Sequence, residues 1–177
     1  MSLSQLLVNE FDRESASTRK LLECFPDEHA DWKPHEKSMT LGRLASHVAE
    51  LPKFLAWIAE NSEFDVQAQT APRPMFKTKA ELMAFFEDRL AEGRAALEQV
   101  SDEAMKEIWT FRSGEHIVSQ VPRYDALRSW MMNHQIHHRG QLSVYLRLLD
   151  IPIPGMYGPS ADDILARQAA AAATQAN

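Results

Sequence analysis

Trp130-Met131-Met132-Asn133-His134-Gln135-Ile136-His137-His138-Arg139-Gly140-Gln141 is the stretch on which the reading of this chain turns. It lies inside a segment of helical periodicity from about Arg123 to Leu149, which Ile151-Pro152-Ile153-Pro154 stops. Residues four apart on a helix share a face, one turn above the other. His134 and His138 are such a pair, and two imidazoles so placed can grip one metal ion.

Working outward, Leu3, Leu6, Leu7, Phe11, Thr18, Leu21 and Leu22 recur at helical spacing and predict a first helix that ends near Pro26. Thr40 can cap a second helix, about Leu41 to Asn61, which carries Leu44, His47, Leu51, Phe54, Leu55 and Ile58. Pro52 inside it predicts a kink, because proline lacks the N–H and clashes with the carbonyl four residues back. A third helix is expected from about Thr78 to Gln99, with Leu82, Phe85, Phe86, Leu90 and Leu97 on its core face. Trp109 to Val118 holds two short apolar runs around Ser113-Gly114 and predicts a small β-hairpin. Ser160, with Asp163 three residues on, predicts a short extra helix. The segments Asp27 to Lys37 and Ser62 to Lys77 are polar, proline-bearing and long, and fit crossovers rather than tight turns. The expected fold is all-α: a four-helix bundle with crossover connections, a short extra helix and a small β-hairpin. One domain is expected over residues 1–168, with 169–177 as a flexible tail.

Composition narrows the function. With 25 acids against 19 bases the net charge is −6, and no basic stripe is present, which argues against nucleic acid or an anionic membrane as partner. No apolar run approaches the ~20 residues of a membrane span. Met1 to Arg13 lacks the basic, apolar, small-residue order of a secretion signal, so the expectation is a cytoplasmic protein. Cys24 is the one cysteine, which excludes an internal disulfide and a cysteine-rich zinc site. Its neighbours Leu21, Leu22 and Phe25 predict a buried thiol.

On a wheel of about 100° per residue, His134 and His138 fall at the middle of an apolar face shared with Leu127, Trp130, Met131, Tyr145 and Leu149. Gln141 falls on the same face, His137 at its edge, and Arg139 away from it. On the second helix His47 shares an apolar face with Leu44, Leu51, Phe54 and Ile58. A histidine buried alone must satisfy a donor and an acceptor nitrogen, whereas three gathered on one metal each satisfy an acceptor at once. A lone histidine on an apolar face is more often a hydrogen-bonded core residue. Three on two helices favour ligation by His47, His134 and His138. His29 and His35 lie in a charged loop, and His116 in the hairpin is expected at the surface.

These residues carry a resemblance. His134-x-x-x-His138-Arg139-Gly140-Gln141 resembles the last-helix motif of the DinB-like (YfiT-like) metalloenzyme superfamily. Trp32-Lys33-Pro34 followed by Ser38-Met39-Thr40-Leu41-Gly42-Arg43-Leu44-x-x-His47 resembles its second motif, and Pro154-Gly155-Met156-Tyr157-Gly158-Pro159-Ser160 its C-terminal segment. The resemblance covers nearly the whole chain. It implies a bundle, often a homodimer, with a divalent metal on three histidines that correspond to His47, His134 and His138. Zinc, nickel, iron and manganese all occur in the superfamily. Its characterised members include thiol-dependent transferases and isomerases, so a low-molecular-weight thiol is an implied co-substrate.

Three neutral histidines leave coordination positions open, as in a catalytic site. An open divalent ion can lower the pKa of bound water to about 7, polarise a carbonyl or bind a thiolate. Hydrolysis also needs a base, and Glu50, one turn beyond His47, is the candidate; it can equally hold His47 from behind or lie in solvent. Gln141 and Asn133 are further candidates for that outer role. Trp109, Trp130, Tyr145 and Tyr157 can wall a pocket, though packing in the core is the simpler reading for the first three. The expected function is a metal-dependent transferase or hydrolase on a small molecule. The alternatives are a non-catalytic stress-response protein that binds a metal or small ligand, and a structural bundle with an idle site.

Overall fold

The computed structural model describes residues 2–175. Helix α1 spans Leu3–Leu22 and opens on Ser2, whose hydroxyl accepts from the Gln5 N–H. Helix α2 spans Leu41–Glu60 and is capped by Thr40, which accepts from the Arg43 N–H; Pro52 lies within its continuous run. Strand β1, Glu63–Asp65, follows it. Helix α3 spans Lys79–Gln99. Its cap is reciprocal: the Thr78 hydroxyl accepts from the Glu81 N–H at 3.3 Å and donates to the Glu81 carboxylate at 2.7 Å. Strands β2, Ile108–Ser113, and β3, His116–Pro122, form the expected hairpin. Gly114 turns it at φ +60°, a conformation that suits a residue without Cβ.

Helix α4 is one run in three parts: α-helical Arg123–Ala126, a π-helical stretch Leu127–Asn133, and α-helical His134–Leu148. Helix α5, Ala161–Gln175, is longer than the short helix expected. The Ser160 hydroxyl accepts from the Asp163 N–H, and the Asp163 carboxylate accepts from the Ser160 and Gly155 N–H groups. This helix includes residues 169–175, where alanine, the best helix former, dominates; 176–177 of the expected tail lie outside the described residues.

The molecule is mostly helical with a small three-stranded sheet, ordered β1-β2-β3. The β2–β3 hairpin was expected; strand β1 was not, and it extends the hairpin to a sheet. Strand β1 pairs in parallel with β2, and β2 antiparallel with β3, with a bulge between Phe111 and Arg112. It sits in what read as a polar connection. Arg112 joins its ends by ion pairs to Glu63 (2.7 Å) and Asp65 (2.8 Å), and Phe64 packs between Phe54, Trp57 and Phe111. Among the described residues no helix is long and apolar enough to cross a membrane.

Helix α2 packs on α3 and α4, and α1 on the same two. The core they enclose is divided. One apolar cluster gathers Leu7, Val8, Phe11, Leu55, Ile58, Trp109, Met131 and Met132 with their neighbours. The other gathers Leu21, Leu22, Leu44, Val48, Phe86, Leu142 and Leu146 with theirs. Between them the buried positions of α1 are Ser15 and Thr18, and those of α4 are Gln135 and Arg139. This polar waist lies at the level of His134 and His138. At the far end, the buried Arg123 guanidinium donates to the carbonyls of Ile58, Ala59 and Asn61, which the end of α2 leaves without helical partners.

Candidate metal centre

His47 comes from the middle of α2. His134 is the first residue after the π-helical stretch of α4, and His138 follows one turn later. Their Nε2 atoms converge. Nε2 of His134 lies 2.8 Å from that of His138 and 3.5 Å from that of His47. One ligand atom from each ring lies within 4.8 Å of the others.

The opposite side of each ring explains the convergence. Nδ1 of His47 is 2.7 Å from the Glu50 carboxylate, Nδ1 of His138 is 2.7 Å from the Gln141 side-chain oxygen, and Nδ1 of His134 is 3.3 Å from the Trp130 carbonyl. All three partners accept and none donates. Partners of this kind favour the tautomer with the ring proton on Nδ1, which leaves the Nε2 lone pair free. Three lone pairs facing one another repel unless a cation lies among them. Nitrogen ligands at ~2.0–2.1 Å from one ion stand about 3.0–3.4 Å apart, and the separations found bracket that range. The donor set, three neutral imidazoles, suits zinc, nickel and iron. The residues present thus fit a divalent ion and leave further positions on it free.

Electrostatics favour the neutral ring at His134 and His138. Burial lowers the pKa of His138 to about 4; the Gln141 hydrogen bond opposes this, while His47 and His134 add to it. Burial also lowers His134, helped by His47. For Glu50, burial pushes the pKa up, but hydrogen bonds from His47 and Arg43 outweigh it, and the carboxyl ends below its ordinary value. Arg43 donates to Glu50 Oε1 at 2.9 Å and to the Pro74 carbonyl at 3.2 Å. Arg43, His47 and Glu50 fall on one helical face, a spacing in which Arg43 was legible but was not singled out.

Several expectations change. The histidines do not occupy the middle of the buried face of α4. They are half-buried at its edge, and the buried line of the helix runs through Gln135, Arg139, Leu142 and Leu146. Arg139, expected to point away from the core, is 2% exposed. Its guanidinium pairs with the Glu14 carboxylate at 2.6 Å and also donates to the Glu14 carbonyl, Thr18 Oγ1 and Tyr157 Oη. Gln141 is exposed, yet its oxygen holds His138. Asn133 and His137 are exposed; the His137 ring lies edge-on to that of His138, with centroids 4.9 Å apart. Trp109 is fully buried, whereas Tyr157 is 71% exposed and donates to Glu14. Cys24 is half-buried rather than buried and donates to the Lys20 carbonyl.

Helices that converge three histidines on one point, with an open side, mark the class of protein that this fold and site define. Residues 1–169 match the model of the DinB family, and the chain belongs to that family. It is 28% identical over 160 residues to the uncharacterized protein YrdA of Bacillus subtilis (strain 168), covering 88% of this chain and 89% of that one. To YjoA of the same organism it is 27% identical over 149 residues, covering 83% and 91%. The crystal structure of a DinB-like protein from Bacillus cereus ATCC 10987 superposes with a TM-score of 0.67 at 23% identity, over 88% of this chain and 98% of that one. The structure of YjoA gives 0.68 at 22% identity, over 85% and 97%. These structural likenesses concern the fold.

Proposed function

We propose that the chain binds a divalent metal ion through Nε2 of His47, His134 and His138. On this reading it is a metal-dependent enzyme, a thiol-dependent transferase or a hydrolase, that acts on a small molecule. The observation that carries the reading is the three-fold pattern of proton-accepting groups behind the rings, which leaves three bare nitrogens facing one another. Zinc, nickel, iron or manganese fits such a site. When bound, the ion supplies an electrophile that polarises a carbonyl, activates water or takes up a thiolate. The chain's own residues keep the rings neutral and aimed. Glu50 has one oxygen committed to both His47 and Arg43, and this favours a positioning role over that of a base. We further infer a four-helix bundle with crossover connections and a homodimer in solution. The net charge of −6 supports a small molecule, not nucleic acid, as the ligand class.

The test is elemental analysis of protein purified without added metal, followed by assays of thiol conjugation and of ester and amide hydrolysis with and without chelator. His134→Ala and His47→Ala are expected to lose the metal; stoichiometric metal in either variant overturns the ligand assignment. Chelator-sensitive turnover supports the enzyme reading. A metal-loaded protein with no such turnover across the panel leaves a binding protein instead.

A further inference from the structure

Pro52 has no N–H, so the Val48 carbonyl, four residues earlier on α2, loses its usual helical partner. Val48 is fully buried, where an unpaired carbonyl is costly. A side chain from another helix approaches it. Gln135 of α4, 1% exposed, directs Nε2 at the Val48 carbonyl from 3.4 Å. The two bridged residues directly follow two of the convergent histidines: Val48 follows His47, and Gln135 follows His134. On its other side α2 cannot retreat, because α3 presses against the same turn. A Cβ added at Gly93 would stand 2.4 Å from the Pro52 carbonyl oxygen. At this turn helix α2 is therefore pinned between α3 and α4, and the bridge to α4 joins the residues that follow His47 and His134.

We infer that the Gln135 carboxamide stands in for the N–H that Pro52 lacks, and that this bridge sets the separation of His47 from His134. Gln135 is thus a positioning residue: it touches neither ring and acts through the helix backbones. His47 and His134 are 87 residues apart in the chain and have no short covalent connection to fix their spacing. The bridge fixes it with one hydrogen bond, and the proline in α2 is what makes the carbonyl available. The inference rests on the metal-binding reading above for its consequence, though the bridge itself does not.

Four metal-free proteins test it: wild type, Gln135→Leu, Pro52→Ala and the double variant. Each is titrated with Zn²⁺ by calorimetry and unfolded in urea. Gln135→Leu keeps the volume and removes the donor, and is expected to weaken Zn²⁺ binding about tenfold, at the low end of what supporting groups around metal ligands contribute. In Pro52→Ala the new N–H can satisfy Val48, so the further exchange of Gln135 is expected to change affinity less than about twofold. A filler without a positioning role would shift the urea midpoint and leave the Zn²⁺ affinity unchanged. Equal affinity in wild type and Gln135→Leu overturns the inference, as does the same loss in both backgrounds. Should Gln135→Leu not fold, Gln135→Asn, whose amide is one carbon too short to reach Val48, takes its place. If wild type takes up no Zn²⁺, the metal reading fails, and the urea data still judge the bridge. Coupling between positions 52 and 135 then supports it, and additivity overturns it.

Discussion

Replacing Arg139 by methionine removes a buried cation while keeping most of its apolar stem. The guanidinium is 2% exposed and the Glu14 side chain 14% exposed, so the pair is nearly dry. Four hydrogen bonds disappear with it: to the Glu14 carbonyl, the Glu14 carboxylate, Thr18 and Tyr157. Their losses are unequal. The Glu14 carbonyl still receives the Thr18 hydroxyl at 2.9 Å, so it stays paired. The Glu14 carboxylate keeps only the Tyr157 hydroxyl at 2.8 Å and is left as an uncompensated, largely buried charge. Breaking one side of such a pair costs about 3–5 kcal/mol. The surviving tyrosine bond and the partial exposure of Glu14 place this case near the lower figure. That is a large share of the ~5–15 kcal/mol that holds a typical domain folded. Urea unfolding of the metal-free protein at pH 7, followed by circular dichroism, measures it. The second arm is more diagnostic. Adding Glu14→Leu to Arg139→Met removes the stranded charge and should restore most of the loss, because a well-packed apolar pair often replaces a buried ion pair at little cost. A single-variant loss below about 1 kcal/mol, or a double variant less stable than Arg139→Met, refutes this account.

Three other outcomes follow from the same structure. Glu50→Gln leaves the fold intact but loosens His47 from behind, and should weaken Zn²⁺ binding about 10–100-fold by calorimetry; an unchanged affinity removes Glu50 from the site. For pH, His138 titrates near 4 in the folded chain and near its ordinary value of 6.5 when unfolded, and His134 shifts in the same direction. The unfolded chain therefore takes up protons first. Stability of the metal-free protein is full above the ordinary histidine value, falls as pH drops through the interval down to about 4, and loses nothing more from this residue below that. His138→Gln should flatten that part of a urea-midpoint profile, and an identical slope in the variant contradicts the assignment. Gly93→Ala forces backbone apart at Pro52 and should cost about 1–3 kcal/mol, read as a lowered midpoint in thermal or urea unfolding; a neutral result means that the helices do not meet there as described.

The long helices were legible because apolar spacing and caps agree in the same segments. Thr40 and Thr78 start helices where a hydroxyl can take the first free N–H, and leucines and phenylalanines then repeat on one side. Strand β1 was not legible. Its three residues hold a single apolar side chain, and it exists through pairing with β2, whose partner residues lie 47 positions away. The three histidines were legible through shared faces. Their depth was misjudged because the wheel was centred on the histidines, while the buried line of the helix runs through Gln135 and Arg139. Each is buried because a partner far along the chain receives it: Val48 at a separation of 87 residues and Glu14 at 125. No local pattern signals such pairs. A wheel of fixed pitch also fails upstream of His134, where the π-helical turn changes the phase of Leu127, Trp130 and Met131.

The divided core has a consequence for how the sequence can drift. The two apolar clusters share Leu90, which packs against both, and are otherwise separate groups on either side of the waist formed by Ser15, Thr18, Gln135 and Arg139. Either cluster can be repacked by exchanges that conserve volume, such as leucine for methionine, without the other needing to respond, so changes on opposite sides should combine additively. The waist has no such freedom. Thr18 and Arg139 are bonded to each other, Arg139 to Glu14 and Gln135 to the Val48 carbonyl, and a change in one must be matched in its partner. Descendants of this chain should therefore vary piecemeal at either end of the helices and in linked sets, or not at all, through the middle.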